Sequence, residues 1–353
     1  MPSRTSASGQ PLEAVIVTGA NGFIAQHCVA ALLRQGYAVV GTVRSEDKAT
    51  VVRATHSYVP RLSVVVVEDI TSTEALVATL AHFAATAILH LAAPFTYDTA
   101  EYERDLMLPA VGGAMAMLQA AAEMPSVRRF VQTNSFAGIY DFNAGPQPGK
   151  TYTSRDWSPL TYDDGVNAPN APVAYRASKA AAERAARDWH QQHNPHFDLV
   201  SLCPVMVFGA FLPGAEPAAL AELNTSNGLV WAVISAGNAA AVPPTRGPVW
   251  VDVRDVAEAH VRSLVVPEAA GGRFLLAAGV YCNQEIADLS RDRLPLKLVA
   301  SRVPLGEPGQ RKAHTHFGVC AREAEDVLGM RWRTLGDCLE GLVPQLYEIE
   351  ERG

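Results

Sequence analysis

The chain is expected to fold as an α/β domain around a doubly wound parallel sheet, with a smaller C-terminal substrate lobe. Three observations predict this. Short apolar strands alternate with helical segments through the first half of the sequence. Runs such as Val64–Val67 are apolar and β-branched without alternation, as in strands covered on both faces. A glycine turn, Gly19-Ala20-Asn21-Gly22, stands directly between the first strand and the first helix, the arrangement of a Rossmann-type nucleotide fold.

In order, the strands are expected at Ala14–Thr18, Ala38–Val43, Ser63–Val67, Ala87–Ala92, Arg129–Thr133 and Leu199–Cys203. Between them Phe23–Gln35, Ser72–Ala84, Glu101–Glu123 and Ala174–His190 read as helices, rich in Ala, Leu and Glu. Residues 144–172, with repeated Gly, Pro and Asp, read as one long loop. Residues 209–248 are irregular. A strand at Trp250–Val251, a helix over Val253–Val265, a strand at Phe274–Ala277 and a final helix over Leu335–Glu350 follow. The expected division is a polar, Ser-rich disordered tail at 1–10, a cofactor domain of 11–206 with 249–278, and a substrate lobe of 207–248 with 279–353.

The chain has 353 residues, of which 48% are hydrophobic, ample for a core. The net charge of −7 is modest and dispersed, with no basic stripe for nucleic acid and no polybasic or amphipathic membrane patch. No run reads as long and apolar enough to span a bilayer. Five cysteines lie far apart without a CxxC pair, and residues 1–10 hold no apolar signal core. A reduced, cytoplasmic protein is the expectation, monomeric or homodimeric.

The glycine loop is the first candidate site. Gly19 suits a tight turn, Gly22 allows close approach of a ligand, and Ala25 is small enough for the helix to pack on the sheet. The free amides of the helix N-terminus would face a pyrophosphate. Thr18, Gly19, Asn21, Gly22, Phe23 and Ile24 are the loop positions expected along a dinucleotide. The spacing is G-x-x-G-x-x-A, and alone it is also compatible with an ordinary glycine turn. Arg44 ends the second strand, 22 positions beyond Gly22. A guanidinium there suits the 2′-phosphate of NADP, with Lys48 assisting. Glu46 and Asp47 are the rival ribose ligands, but they fall further along and read as loop residues. Asp69 and Ile70 follow the third strand, where an adenine commonly rests; the alternative for Asp69 is a turn carboxylate beside Ser72. Leu91, Ala92 and Ala93 are small or apolar residues that let backbone run beside a cofactor, or simply pack the sheet.

Tyr175-Arg176-Ala177-Ser178-Lys179 is the second candidate site. On a helix, residues four apart share a face, so the phenol and ammonium can act together. At about 4 Å and an effective dielectric near 20, their Coulomb interaction is about 4 kcal/mol. That could draw a phenol from about 10 toward about 7, where a proton donor for carbonyl reduction is useful. The plain alternative is a half-exposed helix face. Ser135 ends the strand Arg129–Thr133, at the edge that faces a ligand crevice. It is a candidate partner for a carbonyl oxygen and for the Tyr175 phenol; otherwise it caps the next turn. No G-x-S-x-G elbow surrounds it, which disfavours a serine hydrolase.

Taken together, Thr18-Gly19-x-x-Gly22-x-x-Ala25, Arg44, Ser135 and Tyr175-x-x-x-Lys179 resemble the extended short-chain dehydrogenases/reductases. Val17–His27, Gly41-Thr42-Val43-Arg44-Ser45 and Trp250–Ala257 resemble the branch of dihydroflavonol reductase, fungal methylglyoxal reductase and yeast-type carbonyl reductases. The resemblance covers nearly the whole chain after the tail. It implies an NADP(H)-dependent carbonyl reductase with catalytic Ser135, Tyr175 and Lys179. In that scheme Tyr175 is the general acid. Lys179 lowers its pKa and binds the nicotinamide ribose, and Ser135 polarises the carbonyl. Cys203-Pro204-Val205 would sit beside the nicotinamide. Two departures stand out. Residues 101–123 contain no asparagine for the proton relay of many relatives, and Asn134 replaces the Ser or Thr common before the serine.

Phe95, Phe136, Tyr140, Val207, Phe208 and Trp231 are expected walls of an apolar, aromatic pocket for a small carbonyl substrate, although each could instead be core. The histidines of 190–196 and 314–316 lack nearby Cys or carboxylate sets, so no metal is expected. On the same scaffold, a hydroxysteroid dehydrogenase or sugar-nucleotide epimerase is the enzymatic alternative. A non-catalytic NADP-sensing regulator is the alternative of another class; it would have no use for Tyr175, Lys179 and Ser135 together.

Overall fold

The apolar runs assemble into one seven-stranded sheet in which every paired neighbour is parallel. The computed structural model describes residues 13–57, 59–93, 98–311 and 315–352; the expected tail and Phe95 lie outside them. Among the described residues the strands are β1 (Ala14–Thr18), β2 (Ala38–Val43), β3 (Leu62–Val66), β4 (Ala87–His90), β5 (Arg129–Thr133), β6 (Thr151–Tyr152), β7 (Asp198–Pro204), β8 (Met206–Phe208), β9 (Val249–Asp252), β10 (Arg273–Leu276), β11 (Gly279–Val280) and β12 (Gly318–Val319). The helices are α1 (Phe23–Arg34), α2 (Glu46–Thr55), α3 (Thr73–Leu80), α4 (Leu108–Ala122), α5 (Tyr162–Val166), α6 (Ala171–His193), α7 (Thr225–Ile234), α8 (Val253–Val265), α9 (Asn283–Arg293), α10 (Leu296–Val299), α11 (Arg322–Leu328) and α12 (Leu335–Arg352).

The main sheet runs β3-β2-β1-β4-β5-β7-β10. From β1 the chain steps outward through β2 and β3, then returns to pair β4 on the other side of β1, with Thr18 opposite His90. That reversal opens a crevice at the carboxyl ends of β1 and β4, where ligands bind in sheets of this kind. Successive side chains point to opposite faces. Val15, Val17, Leu89 and Val131 pack with α1 and α8 residues, while Ile16, Ile88 and Phe130 pack with Met117, Ala120 and Ala121 of α4.

A second core joins Phe208 and Trp250 to Val230, Ile234, Tyr281, Ile286, Leu342 and Tyr347. Two small sheets, β11-β9-β8 and β12-β6, accompany the main one. Phe317, Ala321, Ala324, Leu328 and Met330 pack with the α1/α8 core, although their sequence position is within 279–353.

Several local expectations change. Glu46 and Asp47 belong to the first turn of α2, where carboxylates favour the helix N-terminus. The loop of 144–172 contains β6 and α5; the Thr161/Asp164 capping box starts α5. The segment of 209–248 contains α7. Ahead of α4 the backbone forms a π-turn over Glu103–Met107, with the Leu108 amide donating to the Glu103 carbonyl. Pro109 has no N–H to extend a regular turn backward. Contrary to the sequence reading, Glu103–Ala122 is long and apolar enough to cross a membrane; more than half of it is buried, where it packs against α3 and α6.

Phe208 is fully buried, stacked on Trp250 with ring centroids 6.2 Å apart and edge-on to Tyr281 at 5.2 Å. It is a core residue and not an open pocket wall. Phe208→Ala is therefore expected to cost about 3–5 kcal/mol of unfolding free energy, measured by urea titration; unchanged stability with an altered KM would return Phe208 to the pocket.

Candidate active site

The glycine loop is built by close contacts that larger residues would break. Gly19 has φ of +64°, and a Cβ there would stand 3.0 Å from the Ala92 Cα. Gly22 donates its amide to the Gly19 carbonyl at 2.8 Å and begins α1. Asn21 is half-buried and Gly22 exposed. No acidic residue occupies the first turn of α1, so its amides and positive dipole end face the crevice without competition from a carboxylate of their own helix. Gly41 on β2 makes room for Ala20: a Cβ there would lie 2.8 Å from the Ala20 Cβ. Thr18 is fully buried. Its Oγ1 accepts the Leu91 and Ala92 amides at 3.1 and 3.0 Å and lies 3.1 Å from His90 Nδ1. These bonds explain why β4 ends at His90 and not at Ala92: the Thr18 hydroxyl replaces the sheet ladder. Thr18 thus shapes the loop from beneath.

Arg44 is exposed just past β2, with Lys48 half-buried one turn into α2. Partial burial, then the charge of Arg44, hold the Lys48 ammonium below its ordinary value. Two neighbouring cations are suited to a phosphate dianion. Glu46 is turned to Arg53 in an exposed ion pair. Asp69 accepts both the amide and the hydroxyl of Thr71, at 2.8 and 2.6 Å, so it closes its own turn. Ile70 packs against the α4 side of the core. Leu91 and Ala92 are half-buried, Ala93 is exposed, and Pro204 and Val205 are buried where β7 gives way to β8. Phe23 and Ile24 pack against the cores, with Phe23 reaching Phe211 at 5.1 Å between ring centroids.

Helix α6 starts three residues earlier than expected, because Asn170 caps it by accepting the Val173 amide at 3.1 Å and Pro172 suits the first turn. It carries Tyr175 half-buried and Lys179 buried, with the Lys179 Nζ 5.9 Å from the centre of the Tyr175 ring. Among the described residues no carboxylate pairs with this ammonium, and burial lowers its pKa to about 8. The same charge adds to the burial that holds His90 neutral. Ser135 is half-buried at the end of β5 and its Oγ accepts the Ala137 amide at 3.2 Å, leaving the hydroxyl proton for another acceptor.

Sequence reasoning missed the buried carboxylate one turn beyond Lys179. Glu183 is fully buried and meets Arg273 through two hydrogen bonds, 2.8 and 2.9 Å. Arg187 approaches at 3.4 Å, and the Asn134 side-chain amide donates to Glu183 Oε2. The only sequence signal was the four-residue step of Tyr175, Lys179 and Glu183; the partner, 90 positions away, carried none.

Phe136 and Tyr140, expected as walls, stack on each other at 4.9 Å within an aromatic group that includes Tyr152 and Phe317. Tyr140 also accepts a hydrogen bond from Arg176 Nε at 2.7 Å. Val207 is buried, and Trp231 is half-buried, edge-on to Tyr347. The rings of His190, His193 and His196 each bond a main-chain carbonyl.

A glycine loop at a switch point, with a Tyr-x-x-x-Lys helix packed beside the same sheet, defines an extended short-chain dehydrogenase/reductase scaffold. The chain belongs to the NAD dependent epimerase/dehydratase family, whose signature matches residues 15–277. It is 34% identical to ketoreductase azaE of Aspergillus niger over 349 residues, 96% of this chain and 99% of that one. It is 31% identical to NADPH-dependent methylglyoxal reductase GRE2 of Saccharomyces cerevisiae over 347 residues, 96% and 99% of the two chains. The crystal structure of yeast methylglyoxal/isovaleraldehyde reductase Gre2 complexed with NADPH matches with a TM-score of 0.88 at 30% identity, covering 96% of this chain and all of the other. These relatives lie in the branch that the sequence motifs indicated.

The depressed pKa of Lys179 has a measurable cost. In the unfolded chain the ammonium titrates near 10.4, and in the fold near 8. Below about pH 8 both states are charged and the burial penalty, about 3 kcal/mol, is fully present. Between about 8 and 10.4 the unfolded state binds more protons, so this residue's penalty fades as pH rises. Lys179→Met is expected to stabilise the cofactor-free protein at pH 7 by up to about 3 kcal/mol and to remove that alkaline gain. Denaturant titrations at pH 7 and 9.5 check both effects, and a destabilised variant would refute the buried, unpaired ammonium.

Proposed function

We infer that this protein is an NADPH-dependent reductase of ketones or aldehydes. The observation that carries the inference is a buried ammonium, Lys179, beside the ring of Tyr175 and without a carboxylate partner among the described residues. Such a charge costs stability, and a neighbouring phenolate is what it can stabilise. The printed activities of GRE2 and azaE, an NADPH-dependent methylglyoxal reductase and a ketoreductase, support the same reading.

The Gly19–Gly22 turn and the amides of α1 would hold the pyrophosphate of NADPH, and Arg44 with Lys48 its 2′-phosphate. Bound NADPH supplies the hydride that reaches the carbonyl carbon. Ser135 donates its hydroxyl proton in a hydrogen bond to the carbonyl oxygen. Tyr175, as general acid, transfers its phenolic proton to that oxygen as negative charge develops, so a C=O becomes CH–OH. Lys179 in its charged form lowers the cost of the resulting phenolate and would bind the nicotinamide ribose. The small carbonyl substrate is expected to carry apolar flanks, with half-buried Trp231 an aromatic candidate for its wall. The cation pair after β2 favours NADP over the NAD of an epimerase, because Glu46 is occupied by Arg53.

The test follows NADPH oxidation over a panel of ketones and aldehydes. Turnover is expected for at least one, and Tyr175→Phe is expected to lower kcat by roughly 100-fold or more. No turnover across the panel, or full activity in the variant, would refute the mechanism. For cofactor choice, Arg44→Glu should raise KM for NADPH roughly 10- to 100-fold while changing that for NADH far less; equal changes would remove Arg44 from the phosphate role.

A further inference from the structure

We propose that Asn134 is a positioning residue, which fixes the Ser135 hydroxyl relative to Tyr175 by tying the end of β5 to Glu183 on α6. The proposal rests on the carbonyl-reductase reading of the site.

Tyr175, Lys179 and Glu183 follow one another at four-residue steps on α6, so they share one face. Glu183 is held rigidly, because its two oxygens receive Arg273 Nε and Nη2 in parallel. Asn134 adds its side-chain amide to Glu183 Oε2, while its main-chain N–H reaches the Leu202 carbonyl at 2.7 Å. Ser135 is the next residue, extended at φ −160° and ψ 154°, and begins the turn Phe136–Gly138. The far end of that turn is also tied: Arg273 Nη2 donates to the Gly138 carbonyl at 3.1 Å. A Cβ on Gly138 would stand 2.8 Å from Asn134 Nδ2, so the turn folds tightly back over the amide.

Asn134, Glu183, Arg273 and Gly138 therefore close a ring around the turn that presents Ser135. The Glu183–Arg273 pair needs no third member to be neutral. What Asn134 adds is a directional link between the strand bearing Ser135 and the helix bearing Tyr175.

The test compares Asn134→Ala, Ser135→Ala and the double variant, reading kcat and KM separately. Asn134→Ala is expected to lower kcat roughly 10- to 100-fold, the cost of a misplaced catalytic group. KM for NADPH should stay within about twofold. In the Ser135→Ala background the same change should add almost nothing, because its effect passes through a hydroxyl already removed. Should Asn134→Ala fold poorly, Gly138→Ala presses on the amide from the other side and is expected to give the same pattern. An unchanged kcat in Asn134→Ala, or an equal loss with and without Ser135, overturns the proposal. If Ser135→Ala and Tyr175→Phe both keep full activity, the reductase mechanism itself has failed. Loss in those two with none in Asn134→Ala defeats only the positioning role.

Discussion

The buried ion pair between Glu183 and Arg273 organises the part of the molecule around the site. Both side chains are buried, and taking two charges out of water is costly unless every lone pair and proton finds a partner. Here they do. Arg273 uses its remaining hydrogens on the carbonyls of Ser154, Asp156 and Gly138. Glu183 takes Asn134 and Arg187 in addition. Trp157 lies against the guanidinium, 3.8 Å from ring centre to Cζ, and shields it further. Four segments distant in sequence thus meet at one ion pair: α6, β10, the end of β5 and the stretch before α5.

That meeting point lies one turn from Lys179, which shows how the fold can tolerate an ammonium without a carboxylate of its own. The helix is anchored by a satisfied pair at Glu183, so the buried charge beside Tyr175 cannot relax toward solvent cheaply. Stability is concentrated at one turn of α6 and forfeited at the next. Proteins commonly violate their own packing rules only where chemistry requires it.

Much of the fold was legible from local sequence. β1, β2 and β5 fall at their expected bounds, because buried β-branched runs and glycine or proline punctuation are local signals. The glycine loop and the Tyr175–Lys179 pair were legible for the same reason. Helix α2 was hidden by its polar, β-branched sequence, EDKATVVRAT, which gains its helix from tertiary packing of Ala49 and Val52. The pocket walls were less legible. An aromatic residue after a strand looks alike whether it faces a ligand or another ring, and Phe136 faces Tyr140, Tyr152 and Phe317. The role of Asn134 was open in the sequence because its partner is 49 positions away.

The buried hydroxyl of Thr18 carries one more consequence. Its oxygen already accepts two main-chain amides, so its single proton is left for His90 Nδ1. The imidazole must then be the neutral tautomer with its hydrogen on Nε2, and burial with Lys179 nearby keeps its pKa near 3. His90, beneath the glycine loop, is thereby locked out of proton exchange across the ordinary pH range. Any pH dependence of nucleotide affinity near neutrality must originate elsewhere.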